Sequence, residues 1–564
     1  MSAMPQQSVA PEQGTLGRSR AVSEATRYLS AAAYTDEAFA ERALAAVLDD
    51  DLRAVAPSVG FDAASVLRQC LRARRRRRRR DVWLLIAGGA AVVLSPLWTL
   101  LAGAAMMLGT RLTPFRPTRY GPLGPLAALV STALISVLLL VQLQGAATGD
   151  GETGLPGWLV GRPVLALPFG VVGYVVVVAH LWGTRRLLVG RLRRGRFRAP
   201  DASHDGRYAA RLAAVEEAQR GNVTVYSGYV PFVGHGTPVA GWSFALPLVP
   251  AGHGALLSGV AARTGTSGQP APFAVLDLID HVRSRLAAVG LDGPDSDRLP
   301  ELLLEDRIFV GGRLLTDDAR LLPDRERMPR QCWTDDEVRQ VAGRPQGAAR
   351  HYLCALVPSW GAEVVAGTFL HFSTDGRVLY LECARTLLEP PRWAYHDVDR
   401  LTEWVPASQG AQLLATGAEM LLRTAAGAPL RLIADATRVL RYDRRRARAR
   451  RLAREDLGHD YGARVGVREL ATGSGYHNYF QVLDAAKHLK VVERHVLAAI
   501  VDFLDERGVD TAEFRSRQTM ILNQGVIQTG GLSVVGNQAV GAGAHAEQRG
   551  EPVPAPRGGR SGAE

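Results

Sequence analysis

The stretch "RARRRRRRRDVWLLIAGG", residues 72–89, decides how this chain is read. Seven consecutive arginines, Arg74, Arg75, Arg76, Arg77, Arg78, Arg79 and Arg80, are separated from a lipid-like apolar run by Asp81 alone. Such a run either binds a polyanion or fixes which side of a bilayer its flank occupies. Its surroundings favour the second. Three apolar stretches follow, 82–110, 124–145 and 163–185, and a helix needs roughly 20 apolar residues to cross about 30 Å of hydrocarbon. The second and third have that length. The first is too long for one crossing, and Pro96 sits at its middle.

Cytoplasmic loops of membrane proteins carry the excess of arginine and lysine. The arginine run precedes the first stretch, and Arg185 and Arg186 open a second basic flank after the third. The connector 110–123 holds Arg111, Arg116 and Arg119 and reads as inside, whereas 146–161 holds Asp150 and Glu152 without arginine and reads as outside. Both flanks face the cytoplasm if the first stretch is a helical hairpin hinged near Ser95-Pro96, followed by two spans. Each limb is then about 14 residues, or about 21 Å, short for a full crossing. A plain three-span arrangement is the alternative and leaves one basic flank outside. The expected location is the cell membrane, multi-pass, with both termini in the cytoplasm. On this reading the arginines set topology and meet anionic lipid head groups. Nucleic acid is disfavoured as a partner, because the adjoining apolar segment already explains where they stand. The outside connector is too short for an external ligand domain. The apolar stretches contain no Asp, Glu, Lys or Arg at depth, which argues for an anchor and against a transporter.

At 564 residues and a net charge of +12, the chain exceeds one ordinary domain and suits acidic lipid surfaces. Lys487 and Lys490 are its only lysines. Cys70, Cys332, Cys354 and Cys383 show no paired spacing, as expected of free thiols in a reducing compartment. The expected fold class is a membrane-anchored α+β protein. Residues 1–20 read as disordered, 21–81 as an N-terminal helical region, 82–186 as the membrane region and 187–221 as a basic connector and helix. A cytoplasmic α+β domain is expected over 222–440, a basic linker over 441–474, a long C-terminal helix over 475–508 and a Gly-rich, low-charge tail over 509–564. Phe39, Ala43, Val47 and Leu52 recur at helical spacing, with Asp36 placed as an N-cap. Asp375-Gly376, between two β-like runs, signals a hairpin turn.

The most distinctive soluble stretch is "YSGYVPFVGHGTPVAGWSF", 226–244. Gly234-His235-Gly236 could bring backbone N–H groups close to a phosphate, and Ser227 and His235 are the nearby candidate reactive side chains. Against this, a further strand rather than a helix follows the glycines, and no phosphate-loop or dinucleotide signature is present. Ser227 lacks a nucleophile elbow. A packed β-turn is the plainer reading. His351 and Cys354, three apart on a strand, should face opposite sides, so no metal set is expected there. The sequence assigns no catalytic residue, cofactor or metal.

The C-terminal helix carries an apolar seam through Leu489, Val492, Val496 and Phe503, which leaves open packing on its own domain or self-association. In the tail, no charge falls between Arg517 and Glu547. Ile527-Gln528-Thr529-Gly530 resembles the core of amyloid-type signalling motifs, so Ile527, Gln528 and Gly530 join the seam as candidate assembly residues. The basic run 441–455 reads as a solvated connector, as a further contact with anionic lipid or, as the weakest alternative, as an RNA or DNA contact.

"RYLSAAAY" (27–34), "YSGYVPFVGHG" (226–236), "GWSF" (241–244) and the Arg-rich, Lys-poor composition resemble uncharacterised multi-pass membrane proteins of actinobacteria. The resemblance implies location and class, and no activity. The expected function is a membrane-anchored cytoplasmic scaffold or signalling protein that contacts a cytoplasmic protein partner and can self-associate. The alternative is a membrane-tethered enzyme or nucleotide-binding module in 222–440.

Overall fold

The computed structural model describes residues 15–96, 99 and 163–523, without 199, 201–205, 252–270, 293–297, 317, 345–346 and 474. In chain order its elements are α1 (Thr15–Thr35), α2 (Glu37–Val47), α3 (Ala63–Leu94), α4 (Pro163–Arg191), α5 (Ala209–Ala218), β1 (Val223–Tyr226) and β2 (Thr237–Pro247). Then follow α6 (Val275–Asp292), β3 (Leu303–Gly311), α7 (Asp335–Ala342), β4 (Arg350–Ser359), β5 (Val364–Thr374) and β6 (Val378–Leu388). The short α8 (Asp397–Arg400), the long α9 (Ala407–Glu455), α10 (Tyr479–Glu506) and α11 (Ala512–Asn523) complete the described chain. The protein is α+β, with one six-stranded sheet among the described residues, in the order β1-β3-β4-β5-β6-β2. Only β1 and β3 run parallel; the other pairings are antiparallel.

The central strands bury both faces because apolar residues occupy odd and even positions alike. On β4, Leu353, Ala355 and Val357 meet α6 and α10, while Tyr352, Cys354 and Leu356 meet the opposite layer. The β5–β6 turn forms where Asp375-Gly376 predicts it. Gly376 has φ +85°, and the Asp375 carboxylate accepts the N–H groups of Arg377 and Val378 at 2.9 and 2.8 Å. On the second face Phe232 sits among Phe369, Phe309 and Tyr352, with ring centroids 4.6, 5.5 and 6.0 Å away.

Leu489, Val492, Val496 and Phe503 are buried against the chain's own sheet and α6. The seam is therefore a core face, and none of these four side chains is left for a second copy. Glu493, which interrupts the stripe, accepts the Trp242 indole N–H at 2.8 Å and pairs with Arg385 at 3.2 Å. Ile527, Gln528 and Gly530 lie outside the described residues.

The N-terminal helices are not a separate unit. Asp36 caps α2 by accepting the Phe39 N–H at 2.9 Å. The core of α1, α2, α3 and α5 takes in Ala362, Tyr395, Val398, Val467 and Ala471 from far along the chain. Two buried polar side chains lock this junction. Gln331 bonds both the N–H and the carbonyl of Val55, at 2.8 and 2.7 Å. Arg211 donates to the carbonyls of Val47, Asp51 and Arg53.

The boundary expected at residue 81 falls inside α3, which carries the arginine run straight into the apolar segment. Helical geometry sorts the run, because residues three apart share a side. Arg74 grips both Glu41 oxygens at 2.9 and 2.8 Å. Arg77 donates to the Ala33 carbonyl at 2.7 Å, and Arg80 pairs with Asp81 at 2.9 Å. Arg75, Arg78, Arg79 and Arg186 are exposed. Three of the nine arginines expected to face lipid are thus committed inside the protein.

The helix stops at Leu94, with Ser95 off helical geometry at φ −154°, where the hinge was expected; the stretch 100–162 lies outside the described residues. Among the described residues one helix, Pro168–Arg191, is long and apolar enough to cross a membrane. It packs with α3 and α9 through Val177, Leu84 and Ala428. Arg431 of α9 holds both oxygens of Asp81 at 2.7 and 2.9 Å.

Residues 441–455 are the end of α9, exposed over most of their length. Tyr442 and Ala453 are buried, Arg446 pairs with Asp51 at 2.6 Å, and Arg454 pairs with Glu326. For the aromatic layer, Phe232→Ala should cost about 3–5 kcal/mol, read as a lowered denaturation midpoint of the full chain; an unchanged midpoint would mean that this layer is not packed as described.

Candidate functional site

The loop from Ser227 to Gly236 joins β1 to β2 across the second face. Gly234 and Gly236 adopt φ +85° and +89°, and a Cβ on Gly236 would collide with the Leu387 carbonyl. Their N–H groups do converge on an anion, but one supplied by the chain. The Glu469 carboxylate accepts Gly234 N–H at 2.7 Å, Gly236 N–H at 3.1 Å and Gly466 N–H at 2.6 Å. Glu469 thus fills the place a phosphate would take.

His235 is buried, its ring 5.0 Å from that of Phe369 and 6.2 Å from that of Phe309. Neither ring nitrogen has a hydrogen-bond partner. Burial, assisted by Arg307, pushes its pKa well below that of a free imidazole, so it is neutral. Ser227 Oγ donates to Asp460 at 2.5 Å, and Asp460 also receives Arg53 at 3.3 Å. Ser227 is therefore committed to a partly buried carboxylate and His235 to an aromatic core. His351 likewise serves the fold: its Nε2 lies 2.8 Å from Asp306, which Arg283 also grips at 2.6 Å. Cys354 points to the other face, into the layer with Phe232.

A different cluster assembles where three distant segments meet. Glu363 follows the β4–β5 turn, in which Trp360, Gly361 and Ala362 have φ of 56°, 66° and 64°. Two non-glycine residues in left-handed geometry cost of order 1–3 kcal/mol each, and such strain concentrates at functional positions. Ala362 is wholly buried, and Arg468 holds the Glu363 carbonyl at 2.5 Å, so the turn is fixed from both sides. His396 sits in the 3-10 turn Trp393–His396, and His477 just ahead of α10.

His396 Nε2 is 2.8 Å from Glu363 Oε1, and His477 Nδ1 is 3.6 Å from Glu363 Oε2. The two imidazole rings lie 4.8 Å apart. Trp393 stacks on His396 at 5.3 Å and meets His477 edge-on at 4.9 Å. On the far side the Tyr28 ring is 4.0 Å from His396. The Tyr28 hydroxyl donates to Asp399 at 2.8 Å, beside Arg27, which grips Asp399 at 2.6 and 2.9 Å. Arg27 and Tyr28 open the "RYLSAAAY" stretch. Burial alone would raise the pKa of Asp399, but the hydrogen bonds from Arg27 and Tyr28 outweigh it and hold the carboxylate below its usual range. No spacing marks Glu363, His396 and His477 as a set, and the sequence reading missed them.

A model of the AbeC-like domain matches residues 241–537, more than half of the chain. The chain belongs to the AbeC-like family. No curated protein and no solved structure matches it. In this AbeC-like protein the match begins within β2 and includes Glu363, His396, Asp399 and His477. The arginine run, Arg27, Tyr28, Ser227 and the Gly234–Gly236 loop lie outside it.

Two acid responses follow. Asp399 has a folded pKa below that of the unfolded chain, near 4. Its contribution to stability is full above that value and is lost as pH falls through the lower folded one. Asp399→Asn should destabilise the protein at pH 7, with the gap to wild type closing below about pH 4 in parallel melting curves. The unfolded chain protonates His235 below about pH 6.5 while the folded protein resists. His235 should therefore contribute up to about 1.4 kcal/mol per pH unit to the loss of stability on acidification, and His235→Leu should make the wild-type slope shallower by that share. A slope identical in both proteins would show that His235 is not excluded from water.

Proposed function

We propose that this AbeC-like protein is a membrane-anchored cytoplasmic scaffold or signalling protein, acting by presenting its α+β body to a protein partner. The observation that carries the reading is the apolar surface beyond the arginines. Val93 on α3 is 81% exposed and Val171 on α4 is 61% exposed, with Trp83, Ile86 and Val175 also over half exposed. Large apolar side chains exposed in such number along two packed helices are unusual on a protein surrounded by water. Trp83 and Trp182, partly exposed, stand where the apolar ends meet the basic flank, as interfacial tryptophans do. Asp81, the one acid at that border, is neutralised by Arg80 and Arg431.

In this reading the first apolar stretch is a hairpin and two spans follow, so both termini lie in the cytoplasm. Exposed Arg78, Arg79 and Arg186 engage anionic lipid head groups. A scaffold is favoured over an enzyme at the glycine loop because the donors of that loop are already satisfied by Glu469. The enzymatic alternative draws its support from Glu363, His396 and His477 instead.

Reporters fused at residues 117, 153 and 300 should read cytoplasmic, external and cytoplasmic respectively, and the protein should stay with membranes through alkaline carbonate washing. Release by carbonate would overturn the anchor. A body cleaved by protease added to intact cells would overturn its placement in the cytoplasm.

A further inference from the structure

We propose that Glu363, His396 and His477 form a binding site for a divalent transition-metal ion of the zinc class. The site is independent of the scaffold reading and of the membrane. Two imidazoles and one carboxylate are a donor set that zinc takes readily, at bond lengths of about 2.0–2.2 Å. Tetrahedral bonds of that length put neighbouring donors about 3.4 Å apart. Here the carboxylate lies 2.8 Å from one imidazole nitrogen and 3.6 Å from the other, and one donor atom of each residue lies within 4.8 Å of the other two. The two separations from the carboxylate bracket the tetrahedral value.

An unsatisfied group points the same way. His477 is 9% exposed, and its Nδ1, the atom facing Glu363, has no hydrogen-bond partner. Buried polar atoms are rarely left so, and an ion gives the His477 nitrogen an electron-pair acceptor.

The support around the donors is rigid. Glu363 hangs from a strained turn fixed by Arg468, and the His396 ring is held between Trp393 and Tyr28. Arg27, Tyr28 and Asp399 form the outer layer. The ion would therefore join the β4–β5 turn, the Trp393–His396 turn and the segment leading into α10. Three protein donors leave a fourth position for water or a substrate atom. All three side chains are 9–13% exposed, so the site is within reach of solvent.

The test uses the full chain in detergent, stripped with a chelator and titrated with Zn²⁺ by calorimetry and with Co²⁺ by visible absorption. One saturable equivalent of Zn²⁺ is expected, with cobalt bands of four-coordinate intensity and a melting temperature that rises with added Zn²⁺. Glu363→Gln and His477→Gln should each weaken Zn²⁺ binding about tenfold or more, whereas His459→Gln, remote from the cluster, should bind as wild type does. If Glu363→Gln melts before binding can be read, the cobalt spectrum of His396→Gln decides instead, and it should lose the four-coordinate bands. Wild-type protein that binds no Zn²⁺ saturably would overturn the proposal, as would variants at the three positions that bind as tightly as wild type.

Discussion

Both faces of the six-stranded sheet are apolar, and neither can be left to water. Burying apolar area is worth about 25 cal/mol per Å², so each face draws a layer onto itself. Helices α6 and α10 cover one. The other is closed by Val59 from the N-terminal region and Phe232 from the β1–β2 loop. That second layer forces the start of the chain against residues 390–477. Residues 461–463 then run beside β1: Ala463 N–H donates to the Val225 carbonyl at 2.9 Å and Ser227 N–H to the Ala463 carbonyl at 2.9 Å. The cluster of Glu363, His396 and His477, with Arg27 and Tyr28 beside it, exists because this closure brings its segments together.

Arginine holds the closure in place. Arg211 and Arg468 are buried and bound mainly to backbone carbonyls, and burial lowers both to about 10. Arg27, 1% exposed, is paired with Asp399 and Glu24. A buried guanidinium deprived of one partner typically costs 3–5 kcal/mol, so these contacts specify one arrangement of the N-terminal helices. The planar fork of arginine can bond several carbonyls at once, which the point charge of lysine cannot do. An arginine-rich chain can therefore fasten irregular segments without building a larger apolar core.

Much of this was legible locally. The Asp36 cap, the Asp375-Gly376 turn, the opposite facing of His351 and Cys354 and the break at Ser95 each depend on neighbours within a few residues. The seam of α10 was read with the right period and left without a partner. An apolar stripe records that something covers it, and a sheet in the same chain satisfies it as well as a second helix would. The interruption at Glu493 makes sense only once Trp242 and Arg385 are seen across the sheet edge. The arginine run is the reverse case. Its composition pointed outward, while helical geometry turned Arg74 and Arg77 inward, to Glu41 and Ala33.

By itself the sequence determined the α+β class, the apolar segments with their basic flanks, and the turns and caps, because those follow from short-range sterics and from the affinity of each residue for water. The tertiary structure alone decided that Glu469 occupies the glycine loop and that Glu363 meets His396, 33 residues on, and then His477. Contacts of that range are set by which faces must be buried together, and no local pattern of residues encodes them.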